Sequence, residues 1–145
     1  MKTPTPRCIL EYFRLPNYWE EISEPIASAN DALTRIQEIE HEFPSKEGEH
    51  VTVYIEDSEG DKLHVGLAGA LWMITHIRRV SEHELEYQYA LGDKKATGSV
   101  AFLFPEWTDV SRKRLIPRSK GEEAVRDWID NGTLPRSIEW TYDLP

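Results

Sequence analysis

Apolar side chains recur along this chain with two spacings, one typical of helices and one of strands. From about Asn30 to Phe43 they lie three and four residues apart, which predicts a helix with Ser28 or Asn30 itself as its cap. A second helix is predicted after Ser119, which forms with Glu122 the S-x-x-E pattern of a capping box. Gly132 lies just beyond its last apolar position, where a left-handed residue ends a helix.

Strict alternation of apolar and polar residues predicts strands elsewhere. The runs 51–55 and 63–67 flank the polar turn 57–61, which is typical of a hairpin. The run 71–77 is apolar on both faces and predicts a central strand covered on two sides. The segment 106–109 is expected to be a loop. Further strands are expected at 85–91, 100–104, 114–116 and 138–142.

The first 27 residues contain four prolines, and we expect an irregular or extended arm over the core, with Tyr18 and Trp19 as packing anchors. The order of the other elements predicts an α+β fold. It would consist of an antiparallel sheet of about five to seven strands with two main helices packed against it, in a single domain spanning residues 1–145.

Composition limits the class of protein. No stretch approaches the roughly 20 apolar residues of a membrane span, and the N-terminus lacks the pattern of a secretory signal. A single cysteine, Cys8, excludes an intrachain disulfide. These features predict a cytoplasmic protein that does not bind membranes.

The net charge of −9 argues against nucleic acid as a direct partner. The charge is uneven, because residues 20–61 hold 13 Asp and Glu against only Arg35 and Lys46. Such a region could steer a basic partner towards itself, or could simply keep the protein soluble.

Catalytic and metal-binding patterns are weak. The histidines lack zinc-ligand spacing, and Cys8 has no signature of a nucleophile. Glu84 and Glu86 share a strand face, as catalytic carboxylates do, but they also fit an ordinary hydrated face. The basic triplet 112–114 is expected to pair with the acidic excess of the chain itself. We therefore predict no catalytic residue, no metal and no cofactor. The five histidines are His41, His50, His64, His76 and His83.

The C-terminal third resembles a known family. In order, it contains Phe102-Leu103-Phe104, Arg114-Leu115-Ile116-Pro117, Glu123-Ala124-Val125-Arg126-Asp127-Trp128, Asn131-Gly132-Thr133-Leu134-Pro135 and Ile138-Glu139-Trp140. This order is similar to that of the α+β immunity proteins of bacterial polymorphic toxin systems, the first of the numbered immunity families. The resemblance is good over residues 100–142, loose over 50–92 and absent before 28.

The resemblance implies a non-enzymatic inhibitor that binds a cognate toxin, often a nucleic-acid deaminase and sometimes a nuclease. Such a toxin is expected to be basic, so an acidic partner could occlude its active site, as a monomer or in a 1:1 complex. The predicted toxin-binding residues are Glu38, Glu42, Glu47, Glu49, Tyr54, Glu56, Asp57, Glu59, Asp61 and Trp107.

Two alternatives stay open at this stage. One is a small self-associating structural or regulatory module. The other is a small enzyme that uses Glu84, Glu86 or a histidine.

Overall fold

The computed structural model describes residues 8–14, 20–43, 49–104 and 106–145. Two α-helices lie in this part of the chain, α1 (Ala29–Glu42) and α2 (Arg118–Asn131), together with a short 3-10 helix at Arg112–Arg114. The strands are β1 (Cys8–Arg14), β2 (Glu20–Ile26), β3 (Glu49–Asp57), β4 (Lys62–Ala68), β5 (Leu71–Ser81), β6 (Glu84–Leu91), β7 (Ser99–Leu103), β8 (Trp107–Ser111), β9 (Leu115–Pro117) and β10 (Glu139–Thr141).

These strands form one sheet, which confirms the predicted α+β class. Seven strands follow one another in the order β10-β6-β5-β4-β3-β1-β2, and each pair of neighbours on this path is antiparallel. Strand β9 pairs with β5, while β7 runs parallel to β3 and forms an antiparallel hairpin with β8.

Both helices pack on one face of the sheet, which we call the helix face. The buried side chains there include Val53, Val65 and Ile74 from the strands and Ile36 and Val125 from the helices. Their positions follow the period of two in the strands and of 3.6 in the helices. The alternation in the sequence therefore identified the strand residues that share this core.

Trp72 fixes the position of α2 on the helix face. Its side chain is completely buried, and Gly121 lies so close that an added Cβ there would be 2.5 Å from the indole ring. Only glycine allows the helix backbone to approach the ring in this way. The guanidinium of Arg118, near the start of the same helix, lies 5.2 Å from the centroid of the Trp72 ring.

The second face of the sheet is only partly covered. The β7–β8 hairpin folds over it and buries Phe102, Met73 and Val110 in a smaller core. Gly66 of β4 lies under the Phe102 ring, where an added Cβ would approach within 2.5 Å of Cε1. We call the part of this face that the hairpin leaves uncovered the open face.

Several predicted elements are confirmed. Helix α1 is capped by Ser28, whose Oγ accepts a hydrogen bond from the backbone N–H of Asp31 at 3.1 Å. The predicted hairpin is present, with Val51 opposite Leu67. Strand β5 lies between β4 and β6 and is buried on both faces, as the sequence indicated. Gly132 ends α2 in the left-handed conformation, with φ of 69°.

Of the two predictions for the N-terminal arm, irregular or extended, the described residues are extended, but they belong to the sheet and do not lie over the core. Strands β1 and β2 form a regular antiparallel pair, and β1 also pairs with β3. Pro25 is tolerated because β2 is the last strand in the described order. The outer edge of such a strand makes no hydrogen bonds within the sheet, so a residue without a backbone N–H fits there. Tyr18 and Trp19, the predicted anchors, lie outside the described residues.

Two local predictions also need correction. The segment 106–109 is not a loop, because its residues from Trp107 onward form β8. Helix α2 begins at Arg118 without a side-chain cap, so Ser119 is not its capping residue. The short strand β9 leads directly into the helix, and Glu122 accepts a hydrogen bond from Arg118 Nε at 2.8 Å instead.

We expect Gly66→Ala to lower the free energy of unfolding by about 1–3 kcal/mol, because the methyl group would overpack the interface with the hairpin. Urea denaturation measures the loss. In the double variant Gly66→Ala/Phe102→Leu the smaller side chain restores space, so the combined loss should be less than the sum of the single losses. Simple additivity within about 0.5 kcal/mol would contradict this account of the contact.

Candidate functional site

A row of side chains crosses the open face perpendicular to the strands. Glu11, Tyr54, His64, Thr75 and Tyr89 lie directly opposite one another on β1, β3, β4, β5 and β6. Residues paired in this way point to the same side of a sheet. The row forms the floor of a depression that we call the open-face groove.

Aromatic rings make up much of this groove. The Tyr54 ring packs edge-on against His64, with centroids 4.7 Å apart, and also contacts Phe13 and Phe104. Its hydroxyl donates a hydrogen bond to the Leu103 carbonyl oxygen at 3.4 Å, which ties β3 to the end of β7. Aromatic side chains with a polar tip are common anchors in protein interfaces.

Two pockets open along the groove and share His64. The first, of 250 Å³, lies over β1, β3 and β4 and is lined by Glu11, Phe13 and Glu56 among others. The second, of 280 Å³, lies between β5, β6 and β8 and is walled by Tyr87 and the hairpin. We call them the acidic pocket and the arginine pocket, for the charged groups described next.

The acidic pocket brings together three carboxylates, those of Glu11, Glu21 and Glu56. The pKa of Glu11 is raised above its ordinary value, first by a hydrogen bond with Glu21 and then by burial and by the charges of Glu21 and Glu56. Lys62 lies opposite Glu56 and partly offsets these charges. This end of the groove therefore favours a positively charged group from a partner.

His64 is neutral at physiological pH. Burial, with smaller contributions from the charges of Lys62 and Arg114, lowers its pKa to about 4. The ring thus acts as an aromatic and polar surface between the two pockets and carries no charge there.

Arg114 lies at the base of the arginine pocket. Its guanidinium donates to Thr75 Oγ1, contacts Met73 Sδ and lies 4.6 Å from the centroid of Tyr89. Burial lowers its pKa to about 10, so it stays protonated near neutral pH. The expectation that this arginine pairs with the acidic excess is wrong, since no carboxylate in the described part of the chain forms an ion pair with it.

The structure separates the predicted toxin-binding residues. Tyr54 and Glu56 lie in the groove, and Trp107 lies nearby on β8 with 43% of its surface exposed. Glu38 and Glu42 lie on α1, on the other side of the sheet. Glu47 and the side chain of Glu49 lie outside what the structure describes.

The predicted acidic residues of the β3–β4 turn stabilise that turn. Asp57 Oδ1 accepts hydrogen bonds from the backbone N–H groups of Glu59 and Asp61 at 2.9 and 3.0 Å. Asp61 Oδ1 accepts one from the N–H of Arg79 at 2.8 Å. These carboxylates satisfy backbone donors, as Asp commonly does in turns.

Sequence reasoning missed most of the groove. Tyr87 and Tyr89 share the face of β6 that points into the groove, where Tyr87 is 41% exposed, whereas the helices bury Ala90 on the other face. Alternation identifies which residues share a face but does not show which face is covered. The missed residues are Glu11, Phe13, Glu21, His64, Tyr87, Tyr89 and Arg114.

The candidate catalytic groups are not assembled. Glu84 is exposed, and Glu86 forms an ion pair with Arg78 at 3.4 Å. His76 is a structural histidine, since its Nδ1 lies 3.2 Å from Gln88 Oε1 and its ring packs near Trp128. Among the described residues no group of three or more His, Cys, Asp or Glu is placed to hold a metal ion.

The fold and the groove define an α+β protein with one face covered by helices and one face open to another molecule. The family model described as Immunity protein Imm1 matches residues 17–142. The chain therefore belongs to the Imm1 family, and it is a non-catalytic immunity protein of a toxin system with a cognate toxin as its partner.

The match extends the resemblance, which was absent before residue 28, to most of the chain. The comparisons with curated proteins and with solved structures gave no match. Neither described helix has the length and apolar character needed to cross a membrane.

We expect the stability of the protein to fall as the pH drops from about 6.5 towards 4, partly through His64. Its folded pKa of about 4 lies below the ordinary value of 6.5, so the unfolded chain takes up a proton in this window and the folded protein does not. This histidine adds a slope of at most about 1.4 kcal/mol per pH unit, and its contribution is complete above the window. Urea denaturation at several pH values should show a shallower slope for His64→Gln, and identical slopes would contradict the assignment.

Proposed function

We propose that this immunity protein neutralises its toxin by docking the open-face groove onto a basic surface of that toxin. The observation that carries the proposal is the groove itself, in which two pockets that share His64 are lined by aromatic and acidic side chains on the sheet face opposite the two helices. Protein interfaces concentrate their binding energy in such aromatic residues, within a surrounding polar rim.

The charge of the acidic pocket supports a basic partner. Glu11 and Glu21 hold two carboxylates close together, and the raised pKa of Glu11 reflects the cost of that proximity. A Lys or Arg side chain from the toxin would remove this repulsion. The complex would therefore gain electrostatic energy that the free protein lacks.

The nature of the toxin follows from the same argument. A protein that acts on nucleic acid needs a basic surface to hold phosphates. The proposed partner is a nucleic-acid deaminase or nuclease, bound 1:1 in the cytoplasm. The acidic pocket would cover the basic surface of the toxin that otherwise holds the phosphate backbone of its nucleic-acid substrate. Occlusion of the toxin's active site is then the mechanism of inhibition.

The acidic residues outside the groove have a different proposed role. Glu38 and Glu42 lie on α1, on the helix face, and Glu59 lies in the β3–β4 turn beside the end of α2. They contribute to the long-range negative potential that speeds encounter with a basic protein. This role affects the association rate more than the stability of the complex.

Charge reversal on each side of the sheet tests the proposal. We expect Glu21→Lys/Glu56→Lys to weaken binding of the toxin domain encoded beside this gene by about 100-fold or more, because like charges would meet in the interface. The matched variant Glu38→Lys/Glu42→Lys changes the net charge equally on the helix face. It should slow association at low salt but leave the dissociation rate unchanged. Surface plasmon resonance separates the two rates.

Co-expression gives the cellular readout. Wild type and Glu38→Lys/Glu42→Lys should protect cells from the toxin, and Glu21→Lys/Glu56→Lys should not. If only the helix-face variant loses binding and protection, the open face is not the toxin-binding surface. If the free protein dimerises through the groove and wild type does not protect, a self-associating module explains the surface instead.

A further inference from the structure

The arginine pocket contains a buried positive charge that has no counterion among the residues the structure describes. Arg114 is only 6% exposed, and its Nε has no hydrogen-bond partner. The groups that surround its guanidinium are the hydroxyl of Thr75, the sulfur of Met73 and the ring of Tyr89. None of the three is a carboxylate. Asp109 provides the one side-chain carboxylate among the residues that line the pocket, which also include Leu144 and Pro145 at the end of the chain. Asp109 is exposed, and neither it nor Pro145 forms an ion pair with the arginine.

This arrangement is costly in the free protein. A guanidinium that is removed from water loses hydration free energy, which disfavours its charged form. A carboxylate held in good geometry normally recovers this free energy. Dipoles and one aromatic ring recover only part of it. A chain with 26 acidic residues could have supplied such a partner, yet none of the described carboxylates does so.

The size of the pocket indicates what could enter it. Its volume of 280 Å³ lies just below the range of about 300–1,000 Å³ that is usual for small-molecule sites. The walls include the aromatic rings of Tyr87, Tyr89 and Phe104. A space of this size suits one side chain inserted from a flat partner surface, with its stem against the rings and its polar end at the base.

We propose that the arginine pocket receives an Asp or Glu side chain of the toxin, whose carboxylate pairs with Arg114. This inference rests on the proposed docking of the toxin at the open face and adds a second, oppositely charged contact to it. The toxin would place a basic group in the acidic pocket and an acidic group in the arginine pocket, on either side of His64.

Such a two-point contact would provide specificity. Nonspecific attraction between an acidic inhibitor and basic proteins does not distinguish one toxin from another. A toxin without a carboxylate at the required position would leave Arg114 buried and unpaired beneath the interface. That penalty would select the cognate toxin against other basic proteins.

The test uses Arg114→Met in the full chain, with Arg112→Met as the matched control. Methionine keeps the length of the side chain and removes the charge, and Arg112 is exposed two residues away. We expect Arg114→Met to be as stable as wild type or more stable in urea denaturation, because an unpaired buried charge has been removed. Its affinity for the toxin domain encoded beside this gene should fall about 30-fold or more. Arg112→Met should change the affinity less than about fivefold.

Each other outcome of this experiment has a definite meaning. Loss of stability in Arg114→Met with unchanged toxin affinity would show a purely structural arginine and overturn the inference, while toxin binding through the groove would stand. Failure of wild type itself to bind the toxin would instead remove the proposed function.

NMR on the wild-type protein gives a readout that does not depend on a variant. The Nε–H resonance of Arg114 in the ¹⁵N-labelled chain should shift when the toxin is added, because the carboxylate supplies the missing acceptor. A parallel titration with sodium acetate tests whether a small anion alone shifts the same resonance. A shift with acetate and none with the toxin would show a small-anion pocket and overturn the inference.

Discussion

Strand β5 is buried at six consecutive positions, Trp72 to Ile77, so the sheet must be covered on both faces at its centre. The two helices cover one face, and the contact between Trp72 and Gly121 fixes where α2 lies. Among the described elements, the β7–β8 hairpin covers the other face, and its strands are 5 residues long against 11 in β5. The cover therefore ends before the sheet does, and the groove is the part of the sheet that remains beyond it.

The groove and the core are built from the same strands. In β3, Val53 and Ile55 are completely buried under the helices, whereas Tyr54 and Glu56 point into the groove. The period of two thus allows one strand to stabilise the fold with one set of residues and to line the groove with the other. Because the core positions are fixed by packing, the groove residues can differ between proteins with the same scaffold.

The sequence predicted the parts of the fold that depend on local periodicity. The cap at Ser28, the β3–β4 hairpin and the buried strand β5 were all correct. The groove could not be predicted in this way, because it depends on where the distant β7–β8 hairpin folds back over the sheet beside β3. Composition located an acidic region but could not show that α1 and the open face lie on opposite sides. The family resemblance came from residues of α2 and its flanking strands, which form scaffold.

The two ends of the described strand order resist growth of the sheet. At one end, β2 presents Pro25, which has no N–H to donate, and the exposed carboxylate of Glu21. At the other end, β10 is only 3 residues long. Proline, charge and short length each discourage edge-to-edge pairing with a second chain. These two edges therefore disfavour polymerisation of the protein through the ends of its main strand order.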